Sequence, residues 1–146
     1  MSGTAALPRF QKIVPTPPPV HETVLDTTTG LEWQASPFAE SMKHADAVKA
    51  CAELRLGGHD DWRLPTRAEL LTLVDDTRYS PAIDTDAFPN TPNTWFWTST
   101  VYAGDKDYAW VVDFGYGYSY IAYRGGGNRV RAVRGPARQS SASLER

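Results

Sequence analysis

The sequence predicts an α+β fold, helices packed on antiparallel strands, from three observations. Residues 41–56 place apolar side chains at helical spacing. The stretch "TRAELLTLV" opens on Thr66 and Glu69, a T-x-x-E capping signature. Later, "WFWTST" and "YAWVVDF" are runs of β-branched and aromatic residues. At 146 residues the chain fits one domain, a size that buries roughly 68–70% of its unfolded surface without staples. The 5 Trp, 7 Tyr and 5 Phe supply bulky core material, and 11 Gly with 11 Pro imply many turns.

Residues 1–19 are expected to be a peripheral lead-in, because Pro15, Pro17, Pro18 and Pro19 favour polyproline II and cannot donate to a sheet ladder. The domain then spans 20–136, and 137–146 form a polar tail. A hairpin opens it: strands 20–25 and 31–34 flank a turn at 26–30, with Leu31 and Trp33 alternating inward. The first helix, 41–56, is expected to bury Ala45, Val48, Ala52 and Leu56, to expose Lys43, Asp46, Lys49 and Glu53, and to stop at Gly57 and Gly58. The second starts at Thr66 because Pro65 blocks backward extension. Its buried stripe is Leu70, Leu71 and Val74, with Trp62 and Leu64 packing just upstream. Residues 81–94 hold no period and read as a long loop. Two strands follow, with Tyr108, Trp110, Val112 and Phe114 on one face. Gly115 to Gly117 then turns the chain into a tyrosine strand, and residues 130–134 close the sheet.

The functional signal lies in "GYGYSYIAYRGGGNRVRAVRG", residues 115–135. Tyr116, Tyr118 and Tyr120 fall at i, i+2 and i+4, so a strand would project all three rings from one face. That face is either a core or a binding surface. Gly117, Ser119 and Ile121, on the other side, are small enough to lie flat on a core, which favours outward rings; the alternative is that the rings stack on the second sheet and only their hydroxyls emerge. The candidate ligand-binding set is Tyr116, Tyr118, Tyr120, Tyr123, Arg124 and Asn128, with Asp105 and Asp107 from the preceding loop. Tyrosine offers a large contact at low entropic cost, while Ser, Gly and Asn adapt.

Charge and composition bound the other classes. The net charge of −2 argues against a nucleic-acid binder. Residues 1–100 hold 8 Lys+Arg and 13 Asp+Glu (−5), and residues 101–146 hold 7 and 4 (+3), an excess carried by the terminal arginines. Such an end could favour an acidic or sulfated glycan. Cys51 is the single cysteine, so no internal disulfide forms; within a helix it reads as a buried, inert thiol. No signal-peptide h-region or membrane-length apolar run is present, so no membrane insertion is expected, and the chain is cytoplasmic or displayed by another route. His21, His44 and His59 lack metal-ligand spacing, and no cofactor or metal is expected. The acids at 60–61, 75–76, 84 and 86 could offer oxygen to calcium, but no EF-hand pattern is present, and caps and turns explain them better.

Four ordered motifs carry a family resemblance: "LDTTTGLEWQ", "CAELRLGGHDDWRLPTRAELLTLVD", "PAIDTDAFPNTPNTWFWTST" and "VRAVRG". Over residues 24–135 the chain resembles the Lcl C-terminal domain family, the C-terminal domain of Legionella collagen-like adhesins. "WRLPTRAEL" and "RVRAVRG" are also similar to elements of formylglycine-generating-enzyme-like proteins. The resemblance implies a C-type-lectin-like fold, two helices packed on twisted antiparallel sheets, with late loops and strands forming a ligand surface. The stretch 105–128 further resembles the diversified segment of variable proteins from diversity-generating retroelements, which are bacterial or phage proteins.

These resemblances imply a non-catalytic module whose partner is a protein or a glycan. The formylglycine-generating oxidase chemistry uses a copper-bound cysteine pair, and this chain has one cysteine; no enzyme is expected. An adhesin domain would follow a collagen-like stalk and trimerise, yet residues 1–19 hold no G-x-y repeat, so monomer and trimer both stand.

Overall fold

The computed structural model describes residues 8–13 and 21–136. The prolines at 15, 17, 18 and 19 and the expected tail at 137–146 lie outside the described residues. In chain order the elements are β1 (Phe10–Ile13), β2 (Thr23–Asp26), β3 (Glu32–Gln34), α1 (His44–Glu53), α2 (Arg67–Leu71), β4 (Trp95–Val101), β5 (Tyr108–Asp113), β6 (Tyr118–Tyr123) and β7 (Val133–Arg134). They form two antiparallel sheets, ordered β1-β2-β3-β7 and β4-β5-β6. The fold is α+β.

The hairpin forms as the sequence predicts. Gly30 takes φ +78° and its N–H closes the turn on the Asp26 carbonyl at 2.8 Å. The segment read as lead-in nevertheless contributes β1, which pairs with β2, and Phe10 packs edge-on to Phe88 at 5.0 Å. The Arg9 guanidinium donates two bonds to the buried Asp26 carboxylate, at 3.1 and 3.0 Å. Burial works to raise that carboxyl, but Arg9 and the backbone N–H of Thr28 outweigh it and hold it below its ordinary value.

Helix α1 is phased one residue away from expectation. It buries His44, Ala47 and Cys51 and leaves Val48 exposed. The buried histidine decides the phase: its Nε2 bonds the Thr98 carbonyl at 2.8 Å, and its ring stands edge-on to Trp97 at 5.0 Å. The helix also ends at Glu53, ahead of the glycines, with Leu54 already extended.

The second helix starts where the sequence places it. Thr66 Oγ1 accepts from the Glu69 N–H at 3.2 Å, and Glu69 Oε1 accepts from the Thr66 N–H at 2.9 Å. Arg63 adds a two-pronged ion pair to Glu69, at 2.7 and 2.8 Å. Its backbone exchanges bonds with Val133, so the same segment ties α2 to β7. The indole of Trp62 donates to the Leu56 carbonyl at 3.1 Å, fastening the end of the α1 region. Helix α2 is a single turn, and Leu73, beyond it, is more buried than Leu71 or Val74.

Two buried clusters result. Trp33, Leu70, Phe88, Phe96, Val112 and Phe114 fill the space between the sheets, and Ala47, Cys51, Trp62, Trp97, Val111 and Val130 pack beneath α1. Residues 81–94 form no regular element, but they insert Ile83, Ala87 and Phe88 into the first cluster. Strand β5 serves both clusters because successive side chains leave a strand on opposite faces. The last strand does not close the aromatic sheet: β7 pairs with β3 in the N-terminal sheet. Arg129 reaches the aromatic sheet through a parallel bridge to Phe96, Val130 and Ala132 pack into the second cluster, and the Ala132 carbonyl accepts from the Gln34 N–H of β3.

Candidate functional site

Strand β6 is the free edge of the aromatic sheet. Gly117 launches it with φ +84°, and a Cβ there would approach the Val74 side chain to 3.0 Å, so only glycine fits the turn. The register sets Trp95 opposite Asp113, and Asp113 opposite Tyr118. Tyr116 is 75% exposed, Tyr118 62%, Tyr123 60% and Tyr120 37%, beside Trp95 at 36%. The Trp95 and Tyr120 rings stack at 5.3 Å with 28° between planes, and Tyr118 meets Tyr120 edge-on at 6.4 Å. Tyr118, Tyr120 and Trp95 therefore form one aromatic patch. Tyr116 lies in the turn before β6, on the rim of the same region.

The remaining candidates gather elsewhere. By alternation Tyr123 projects from the opposite face, where it meets Tyr108 at 6.0 Å. Arg124 follows it, with Nε donating to His44 Nδ1 at 3.2 Å and Nη1 to the Lys106 carbonyl at 3.0 Å. Asp105 caps its own loop by accepting from the Asp107 N–H at 2.9 Å, and the Asp107 carbonyl accepts from the Arg124 N–H. Asn128 makes a two-way backbone bridge with Met42. At ~3.3 Å per residue, β6 separates this group from Tyr118 by about 17 Å. The eight candidate residues divide into two groups at the ends of one strand.

The far face of β6 does not lie on a core. Ile121 is 37% exposed, and Ser119 is held by an Arg67 Nε bond at 3.0 Å while that guanidinium covers the Trp110 ring at 3.7 Å. An edge strand has one neighbour and correspondingly little cover. Sequence reading also missed Trp95 and Asp113. Two-residue alternation puts Trp95 and Trp97 of β4 on one face, but it carries no sign of which reaches solvent.

A cleft of about 260 Å³ opens between Trp95 and Tyr116, lined also by Asp113, Ser80, Asn93 and Thr94. Asp113 is 6% exposed, and its Oδ1 accepts the Gly115 N–H at 2.6 Å. A larger hollow, about 520 Å³, lies by Arg9 and Phe10 with Asp75, Asp76, Asp84 and Asp86 on its walls. Three of its acids are spoken for. Asp75 accepts from the Thr77 N–H, Asp84 from those of Asp86 and Ala87, and Asp86 pairs with Lys12 at 2.9 Å. Among the described residues no three His, Cys, Asp or Glu side chains converge on one point.

Among the described residues, the arginines at 129, 131 and 134 are committed to partners within the fold. Arg131 is fully buried, bonds the Gln34 and Ala35 carbonyls and Thr91 Oγ1, and lies over the Phe88 ring at 4.9 Å. Burial pushes its guanidinium down to about 9, which leaves it charged at neutral pH. Arg134 is committed to Asp61 at 2.6 Å and Glu32 at 2.7 Å, and Arg129 donates to the Phe38 carbonyl. Cys51 is buried, and burial pushes its thiol up to about 12, outside the range of a nucleophile. His44 is shifted down, first by burial and also by the nearby Arg124 charge, against the opposing Thr98 bond. It is a neutral ring that donates from Nε2 and accepts at Nδ1.

Among the described residues no helix is long and apolar enough to cross a membrane. A search of curated proteins returns no match to the chain. The family model described as the Lcl C-terminal domain matches residues 22–134, from the approach to β2 through β7, a span that includes both sheets and the β6 edge. The chain belongs to the Lcl C-terminal domain family.

Proposed function

We propose that the chain is a non-catalytic, lectin-like binding module whose recognition surface is the aromatic patch of Trp95, Tyr118 and Tyr120 with Tyr116 on its rim. The observation that carries this reading is the mutual contact of three exposed rings, Trp95, Tyr118 and Tyr120, whereas Tyr79, Val48 and Val101 are exposed outside that patch. Contacts between the rings add about 0.5–1.5 kcal/mol per pair to the sheet, but burying them would add more, and contiguous exposed apolar patches mark interaction sites. Backbone pairing along β5 and the buried Trp97 and Val111 on the same face of the sheet hold the rings before a ligand arrives, which lowers the cost of ordering them.

The ligand is a protein or a glycan. The near-parallel Trp95 and Tyr120 rings would suit an apolar sugar face or a flat side chain equally. Among the described residues, Arg131 is buried and Arg134 is paired with Asp61 and Glu32, so these two charges are not free for a sulfated glycan. Composition supports a further reading as a variable protein of a diversity-generating retroelement: Asp105, Asp107, Tyr116, Tyr118, Tyr120, Tyr123, Gly125 and Gly127 are all exposed, as side chains free to vary must be. Genomic sequence tests that reading, since a near-copy of the DNA for residues 95–135 beside a reverse transcriptase is its expected signature. For the surface itself, parent and Trp95→Ala protein are compared on glycan and protein arrays. Specific binding by the parent that the variant loses is the expected result; ligands retained by Trp95→Ala would move recognition elsewhere.

A further inference from the structure

Asp113 stands apart from Asp26, the other buried acid among the described residues, which has Arg9 at 3.0 Å, the usual condition for a carboxylate withdrawn from water; even the half-buried Glu69 has Arg63 at 2.7 Å. Asp113 is 6% exposed and keeps its unbonded oxygen in touch with solvent, yet among the described residues it forms no ion pair and accepts a single bond, to Oδ1 from the Gly115 N–H. Its second oxygen has no bonding partner among them, and the residue lines the cleft between Trp95 and Tyr116. No cationic residue lines that cleft. A carboxylate at the base and aromatic rings on the walls form a receptor for a positive group, because ring faces and carboxylate attract a cation together and more strongly where water is thinned.

We propose that this cleft takes an ammonium or guanidinium group from a Lys or Arg side chain of a protein partner, with Asp113 as its counter-ion and Trp95 and Tyr116 as its walls. The proposal rests on the aromatic patch being a recognition surface, and it names the chemistry of one point of contact. A volume of about 260 Å³ suits the end of one long side chain, below the ~300–1,000 Å³ of a site for a whole small molecule. An anion is disfavoured by the unpaired carboxylate, and a neutral sugar would leave that carboxylate without a counter-ion.

The test is a titration of the full chain, followed by the NMR signals of the Trp95 indole N–H and the Gly115 amide. The probes are arginine amide, lysine amide, glucosamine and methyl glucoside. The expected result is saturable shifts with either amino-acid amide and none with methyl glucoside, with Asp113→Asn weakening binding by about tenfold or more, the scale of a charged hydrogen bond. Asparagine keeps an acceptor for Gly115; should it still unsettle the fold on melting, Tyr116→Ala, which removes an exposed wall, replaces it with the same weakening expected. Absence of cleft shifts with both amides, shifts unaffected by Asp113→Asn, or response to glucosamine or methyl glucoside alone would overturn the proposal. A ligand that depends on Tyr118 and Tyr120 but not on Asp113 would overturn it while leaving the recognition surface standing.

Discussion

At the scale of single residues, stability is concentrated in side chains that satisfy backbone groups. Thr66→Ala removes one half of the capping box and is expected to cost about 1 kcal/mol in urea unfolding. Arg131→Ala should cost about 3–5 kcal/mol, because it opens a cavity and strands the Gln34 and Ala35 carbonyls and the Thr91 hydroxyl without a donor. His44 sets a pH dependence. Its folded value lies below the ordinary 6.5, so the unfolded chain binds the proton first; stability is full above pH 6.5 and falls as pH drops through that value. Protonation would also set an Nδ1 donor against the Arg124 guanidinium. Urea midpoints measured above and below pH 6.5 should diverge in the parent and converge in His44→Gln. The capping box was legible because its partners lie within one turn. Arg131 and Arg134 were not, because the groups that bury and neutralise them come from Gln34, Thr91, Asp61 and Glu32, distant in sequence; a row of arginines reads as surface until its partners are known.

Among the elements, β4 and β6 separate structural from presented aromatics. Trp97 is buried beneath α1 and Phe96 lies between the sheets, and truncating either to alanine should cost about 3–5 kcal/mol. Trp95, one residue away, should cost far less while altering binding. Alternation in the sequence shows which residues share a face, so it already sets Tyr123 opposite Tyr118 and Tyr120, but not which face is covered, and that limit accounts for Ile121. Helix α1 illustrates the related difficulty. Alanines at 45, 47, 50 and 52 lie on every side of it, so the apolar pattern is nearly phase-free and a buried, hydrogen-bonded His44 sets the orientation. Strand β1 escaped notice because Phe10 and Ile13 sit among polar residues and prolines without alternation.

Over the whole molecule, the motifs of the family turn out to be the joints of the frame. Residues 62–66 connect the α1 region, α2 and β7, and the arginine-bearing segment from Arg129 to Arg134 links the aromatic sheet to the N-terminal one. Chain order indicated a terminal strand without indicating which sheet would receive it. Conserving those joints while varying β6 would change the ligand without disturbing the core, since β6 contributes only Ala122 to the buried clusters, and that as a peripheral contact. The most direct test is to melt Tyr118→Ala/Tyr120→Ala protein beside the parent and measure both against a ligand recovered from the arrays. Matching melting curves with binding lost would bear out a rigid frame displaying an aromatic recognition surface. Unfolding of the variant, or full binding without the two rings, would contradict it.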